Sequence, residues 1–321
     1  MMQIFVSGSL AYDRIMDFPG RFADHILPEK IHILNVCFMV NGLRERFGGT
    51  AGNIAYNLAL LGEKPVILAT AGKDFAPYRE WLVELGLPLT GIKEIPGEHT
   101  AGAYITTDLS DNQITGFNPG AMQHLSDYRF DGVDAAAAYA IVAPGGLEDM
   151  LVYTRAYKTL GLPYIFDPGQ SIPAWEGGRL REMVAGALAL IVNDYELEMF
   201  REKTGLTDQE LLELAPALIV TRGEEGSYLL TAAGQCLVPP VRPIQVKDPT
   251  GAGDAYRAGL LKGLVLGFSW EESTRLGAVL ASFCVEQQGT QEHRLEISQF
   301  WERYRENFGP PPLEGEFKVQ S

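Results

Sequence analysis

The stretch from Val246 to Leu266 constrains this chain more than any other. An apolar, strand-like run (Val241 to Val246, preceded by Pro239 and Pro240) reaches a turn containing Pro249, Thr250, Gly251 and Gly253, and an apolar run of helical length follows. The pattern predicts a strand, an anion-binding turn and a helix. Gly251 and Gly253 let main-chain N–H groups approach an oxyanion, and the helix start adds the equivalent of roughly half a positive charge. Phosphate suits such a turn. Asp254 falls in the first helical turn, where an acid also serves as an ordinary helix-start residue. Beside a glycine-built oxyanion site it suits a base that takes a proton from a hydroxyl attacking a phosphoryl group. The helix field is expected to keep it ionised.

Asp248-Pro249-Thr250-Gly251-Ala252-Gly253-Asp254-Ala255 resembles the C-terminal signature of the PfkB (ribokinase-like) carbohydrate and nucleoside kinases, whose commoner form has Thr in place of Pro249. The resemblance implies an ATP-dependent kinase. Asp254 would be its catalytic base, and Gly251, Ala252 and Gly253 would build its anion hole.

Other stretches fit the family in order. Gln3 to Gly8 reads as a first strand leading to Asp13, which either forms a turn or holds a ligand at a strand's carboxyl end. The resemblance gives Asp13 the role of gripping substrate hydroxyls. Phe47-Gly48-Gly49-Thr50-Ala51-Gly52-Asn53 opens an amphipathic helix, and its glycines permit close main-chain approach to a polar ligand. This run resembles the family's N-terminal signature, nearest its adenosine and nucleoside kinase branch, and implies that Gly49 and Asn53 contact the sugar. Asn193-x-x-Glu196 is by itself a capped helix start; by resemblance the two organise Mg²⁺, chiefly through water. Thr221, Gly223, Gly226 and Thr250 would serve the nucleotide, and Leu276 to Val285 with Gly289 would flank its adenine. Asp248 and Thr250 sit where some relatives hold K⁺, and Pro249 leaves that ion open here.

Alternation of strands and helices predicts one α/β domain over residues 1–321. The strands fall at Pro65 to Ala71, Ala135 to Ala143, Pro163 to Asp167, Leu188 to Val192 and Ala217 to Thr221; the helices include Pro77 to Leu85, Leu147 to Leu160 and Arg179 to Gly186. The resemblance makes this a ribokinase-like three-layer α/β/α fold with a mainly parallel central sheet. Residues 14–47, with β-like pieces at Ile31 to Leu34 and Val36 to Val40, and a hairpin within 98–119 would form a small β lid. In the family such a lid closes the pocket and often makes a homodimer contact. Phe117, Met122, Cys37 and Met39 are candidate apolar walls for a purine.

Composition narrows the classes. A formal charge of −15, from 41 acidic and 26 basic residues, opposes non-specific nucleic-acid binding. No apolar run approaches the roughly 20 residues of a membrane span, and the first residues lack a basic leader region. The three cysteines show no paired spacing, which points to a reducing cytoplasm and to core thiols. Five unclustered histidines, expected on the surface or lid, disfavour zinc or triad chemistry. No P-loop or Rossmann glycine motif is present.

The function expected is phosphorylation of the primary (5′) hydroxyl of a nucleoside, with adenosine favoured, using ATP and Mg²⁺. Two alternatives stand: a ribokinase- or fructokinase-type kinase of a free sugar, and a non-catalytic nucleotide-binding regulator.

Overall fold

The computed structural model describes residues 2–312. In chain order the elements are β1 (Gln3–Ser7), β2 (Ala11–Asp17), β3 (Asn41–Gly48), α1 (Thr50–Leu60), β4 (Val66–Gly72), α2 (Ala76–Glu84), β5 (Ile92–Ile95), β6 (Ala101–Thr107), β7 (Gln113–Asn118) and β8 (Ala138–Val142). There follow α3 (Leu147–Leu160), β9 (Tyr164–Phe166), α4 (Gly177–Val184), β10 (Ala189–Asn193), α5 (Asp194–Thr204), α6 (Asp208–Leu214), β11 (Ala217–Thr221), β12 (Ser227–Thr231) and β13 (Gly234–Val238). The chain then runs through α7 (Ala252–Val265), α8 (Trp270–Cys284) and α9 (Ile297–Phe308).

A nine-stranded sheet, ordered β13-β12-β11-β10-β9-β8-β1-β4-β5, is parallel from β5 to β11, and only β12, paired antiparallel with β11 and with β13, runs the other way. Because side chains alternate across a strand, Ile4 and Val6 pack into one layer and Phe5 into the other. The first layer is covered by α1, α2, α7, α8 and α9, and the second by α3, α4, α5 and α6. Apolar strands covered on both faces give the expected three-layer α/β/α architecture. From β1 the chain builds towards β4 and β5 on one side and later towards β8 on the other. The ends of β1 and β8 therefore mark the switch point, where open α/β sheets bind ligands.

A second sheet, ordered β3-β2-β6-β7, is the small lid; its first strand starts at Ala11, ahead of the segment expected from residue 14. Asp13 lies within β2 of this sheet, paired in register with Arg46 and Ala103, and does not sit at the end of the first strand. The β-like pieces expected at Ile31 to Leu34 and Val36 to Val40 are absent. Pro28–Ile33 forms 3₁₀ turns, and 34–40 carries no regular structure, because β2 already has a neighbour on each edge.

Val241 to Val246 is likewise irregular. Pro239, Pro240 and Pro243 lack the N–H groups of a ladder, and the N–H of Ile244 donates to the Glu286 carboxylate at 2.8 Å. The run from Ala135 begins with a 3₁₀ turn, Ala135–Ala137, capped by the Asp134 side chain, and becomes a strand only at Ala138. Cys37 is exposed, Cys236 is half-buried and only Cys284 is a core thiol. His293, expected on the surface, is fully buried. Of the proline-rich tail, Pro311 is buried, and residues 313–321 lie outside the described residues. No described helix is long and apolar enough to cross a membrane.

Candidate active site

Two adjoining cavities, of about 280 and 890 Å³, open at the switch point and share Thr50, Pro144, Gln170, Gly251 and Asp254 as lining. Asp13, Gly49, Asn53 and Thr250 line the larger one, together with Phe117 and Met122. Asn193, Glu196, Thr221 and Gly253 line the smaller one. Residues from both halves of the chain thus meet around Asp254. Ala252, Gly223, Gly226 and Asp248 are not among the lining, nor are the exposed Cys37 and Met39. Gly226 instead serves the turn into β12. Its φ is +84°, and a Cβ there would lie 2.3 Å from the Val238 carbonyl oxygen.

The two glycine-rich helix starts behave differently. At α1 the N–H of Thr50 donates to Ser9 Oγ at 3.0 Å, and those of Ala51 and Gly52 donate to the Ser9 carbonyl at 3.0 and 3.3 Å. That terminus is filled from within, so it does not offer a ligand the free amides that its glycines suggest. At α7, Gly251 turns the chain with φ +82°, and the Ala252 N–H donates to the Pro249 carbonyl at 3.2 Å. Among the described residues no hydrogen bond takes the amides of Gly253 and Asp254. Two donors therefore remain at the end of a fourteen-residue helix whose dipole favours an anion. Ala252, expected in the anion hole, offers no free amide to it.

Asp254 stands beside these amides. Its Oδ2 accepts from Asn53 Nδ2 at 2.8 Å, while Oδ1 has no partner among the described residues. Burial pushes its carboxyl up to about 7; the Asn53 bond and the Arg257 charge oppose the rise, and Asp167 and Asp13 add to it. Loss of solvent thus acts against the helix field that was expected to keep it ionised. Asp13 is raised for the same reason, with the Arg46 guanidinium pulling the other way.

Sequence reasoning missed the pair beneath this turn. Asp167, just past β9, is buried and receives both Nε and Nη2 of Arg257, the latter to Oδ1 at 2.8 Å, while Arg257 Nη1 donates to the Gly253 carbonyl at 3.0 Å. The fork ties the start of α7 to the centre of the sheet. Among the described residues Arg257 is the one basic side chain lining the smaller cavity. A strand ending in Asp before Pro-Gly, and one arginine inside an apolar helix, were its available signals.

Asn193 and Glu196 form a complete capping box: Asn193 Oδ1 accepts the Glu196 N–H, and Glu196 Oε2 accepts the Asn193 N–H, both at 2.8 Å. Glu196 lines the smaller cavity together with Gly253, and among the described residues only its Oε2 is engaged in a hydrogen bond. That suits Mg²⁺, which takes one or two protein oxygens and keeps several waters. Asp248 differs. Its two oxygens accept the N–H groups of Thr250 at 2.9 Å and Gly289 at 3.0 Å, and Arg46 lies nearby. Its carboxylate holds the turn through these two bonds.

The sequence matches the model of the pfkB family carbohydrate kinases over residues 22–297. The nucleoside kinase of Methanocaldococcus jannaschii is 33% identical over 266 residues, which cover 82% of this chain and 87% of that protein. Among solved structures, Burkholderia thailandensis nucleoside kinase in complex with inosine superposes with a TM-score of 0.85 at 39% identity, covering 97% of this chain and 100% of that one. The same enzyme in complex with ADP-inosine gives 0.83 at 39% identity, covering 99% and 100%. With the fold, the site and these relatives in agreement, the chain belongs to the pfkB family of carbohydrate kinases, enzymes that transfer a phosphoryl group to a hydroxyl acceptor.

Proposed function

We propose that this protein is an ATP-dependent nucleoside kinase that phosphorylates the 5′ hydroxyl of a purine nucleoside such as adenosine or inosine. The observation that carries the reading is the position of Asp254. It borders both cavities, with a helix start bearing two uncommitted amides on one side and the acceptor cavity with Asn53 on the other. The relatives support a nucleoside, since they are nucleoside kinases and one was solved with inosine. A free sugar needs less room than the larger cavity, about 890 Å³, whose walls include Phe117, Met122 and Leu147.

In this reading Asp13 and Asn53 orient the ribose. The 5′ oxygen bonds to the γ-phosphorus as the bond from that phosphorus to the bridging β,γ oxygen breaks, and ADP leaves. The hydroxyl proton passes to Oδ1 of Asp254, whose other oxygen stays with Asn53. The amides of Gly253 and Asp254 steady the transferring oxygens, and Arg257 balances charge beneath them. Mg²⁺, held through water by Glu196 and Asn193, would neutralise phosphate charge when bound. The retained Asp254 distinguishes this reading from a non-catalytic regulator.

The test is ADP release from ATP·Mg²⁺ with adenosine, inosine, guanosine, cytidine, ribose and fructose in turn, repeated with Asp254→Asn. Turnover on a purine nucleoside, lowered by roughly 10²-fold or more in the variant, is the expected outcome. Faster turnover on ribose or fructose than on every nucleoside would transfer the assignment to a sugar kinase. Full turnover by a folded Asp254→Asn protein would remove the base.

A further inference from the structure

We infer that Trp81 and Gln291, which touch neither cavity, are positioning residues that force Asn53 to present its N–H₂ group to Asp254 and so keep that carboxylate ready to accept a proton. The inference rests on the assignment of Asp254 as the base and adds what holds the base in its working state.

A carboxamide has a donor end and an acceptor end of nearly equal shape, so its neighbours decide which way it faces. The indole Nε1–H of Trp81 can only donate, and it donates to Gln291 Oε1 at 2.9 Å. The Gly48 carbonyl can only accept, and it accepts from the Tyr78 hydroxyl at 2.8 Å. That hydroxyl has spent its one proton and must accept from Gln291 Nε2, at 2.7 Å. Two independent anchors therefore fix Gln291 the same way round. Its Nε2 also donates to Asn53 Oδ1 at 3.1 Å, which leaves Asn53 Nδ2 to donate to Asp254 Oδ2 at 2.8 Å.

Tyr78, Gln291 and Asn53 are buried, so water cannot replace a missing partner cheaply. Were Gln291 unable to donate, the Asn53 amide could turn and set its oxygen against Asp254. Two acceptors would then face one another, and a proton on Asp254 would relieve the conflict. In Gln291→Met the other groups around this carboxylate stay unchanged: Arg257 on its own helix, Asp167 after β9, Asp13 on β2, Tyr78 on α2 and Cys284 on α8; a variant that frees Gln291 by removing the Tyr78 hydroxyl changes that one neighbour as well. The chain thus ties the protonation of Asp254 to side chains on α2 and on the segment after α8.

The experiment is the pH profile of kcat/KM for inosine with ATP·Mg²⁺, from pH 5 to 9, for wild type, Gln291→Met and the double variant Tyr78→Phe/Trp81→Phe. The double variant keeps aromatic side chains in both positions. We expect the acidic limb to move upward by about one pH unit in either variant, with turnover at the high-pH plateau within about threefold of wild type. A purely structural role would lower the melting temperature or the plateau and leave the limb in place. A limb within 0.2 units of wild type in the folded double variant overturns the inference, whether or not Gln291→Met folds. The parent reading fails separately, through an active Asp254→Asn protein or a wild type that turns over no nucleoside.

Discussion

Asn53 on α1 and Asp254 on α7 are joined by a hydrogen bond of 2.8 Å although 201 residues separate them along the chain. The bond locks a group expected to hold the acceptor to the group expected to deprotonate it, so placing one places the other.

The acid–base behaviour of Asp254 gives the first prediction. With its carboxyl raised to about 7, activity should rise with pH through that region as the base ionises. The stability effect has the opposite sign. The folded state holds this proton more tightly than the unfolded chain, so its stabilising contribution is full below pH 4 and is lost as pH rises through about 7. Melting curves of Asp254→Asn and wild type should diverge between pH 4 and 8, with the variant ahead at pH 8 by on the order of 1–2 kcal/mol. Parallel curves across that window would contradict the assignment.

Asn53→Leu removes the one hydrogen bond that opposes the rise at Asp254. Nucleoside affinity should fall about tenfold, because a buried polar partner is lost from the acceptor cavity. Calorimetric titration of inosine into the variant measures this directly, and an unchanged Kd would take Asn53 out of the acceptor site.

Gly49 has φ +87°, and a Cβ there would lie 2.5 Å from the Ser9 carbonyl oxygen and 2.7 Å from the Ala11 nitrogen. Both neighbours are backbone and cannot swing aside. Gly49→Ala should therefore cost about 3 kcal/mol or more in urea unfolding and weaken acceptor binding as the chain shifts. A loss below about 1 kcal/mol would mean that the turn relaxes freely.

Glu63 and Lys262 form an ion pair of 2.5 Å, with side chains only 9% and 12% exposed, that links the end of α1 to α7. Glu63→Gln leaves the lysine without its partner and should cost about 2 kcal/mol, lowering Tm by roughly 4–8 °C with kcat little changed. A variant that melts with wild type would show that the pair contributes no net stability.

Much of this was legible in the sequence because it depends on local rules. Strand and helix alternation, the hairpin at Ala101–Thr107 and Gln113–Asn118, and the capping box at Asn193 follow from periodicity and turn chemistry acting over a few residues. The errors came where distant groups decide. Val241 to Val246 has a strand's apolar content, yet its prolines deny it a ladder. Asp254 sits where a helix should hold it charged, yet residues far away in sequence exclude its water. Gln291 carried no signal, because the polarity of a carboxamide has meaning only once Trp81 and Tyr78 flank it. The Ala252 amide is taken by the main-chain carbonyl of residue 249, a bond made by the folded turn and not by the residue type there.

The seam between β1 and β8 has a consequence for how such an enzyme diverges. A Cβ on Gly145 would lie 2.8 Å from the Gly8 carbonyl carbon, one on Gly146 would lie 2.5 Å from the Met122 carbonyl oxygen, and the Ser9 N–H reaches the Pro144 carbonyl at 3.1 Å. At this seam the floor of the larger cavity is thus built largely of closely packed peptide atoms, which leave little room for a new side chain. Mutation can redecorate the surrounding walls, through Phe117, Met122 or Gln170, while this floor stays as it is; under the proposed function, new substrate tastes can arise there without disturbing the seam.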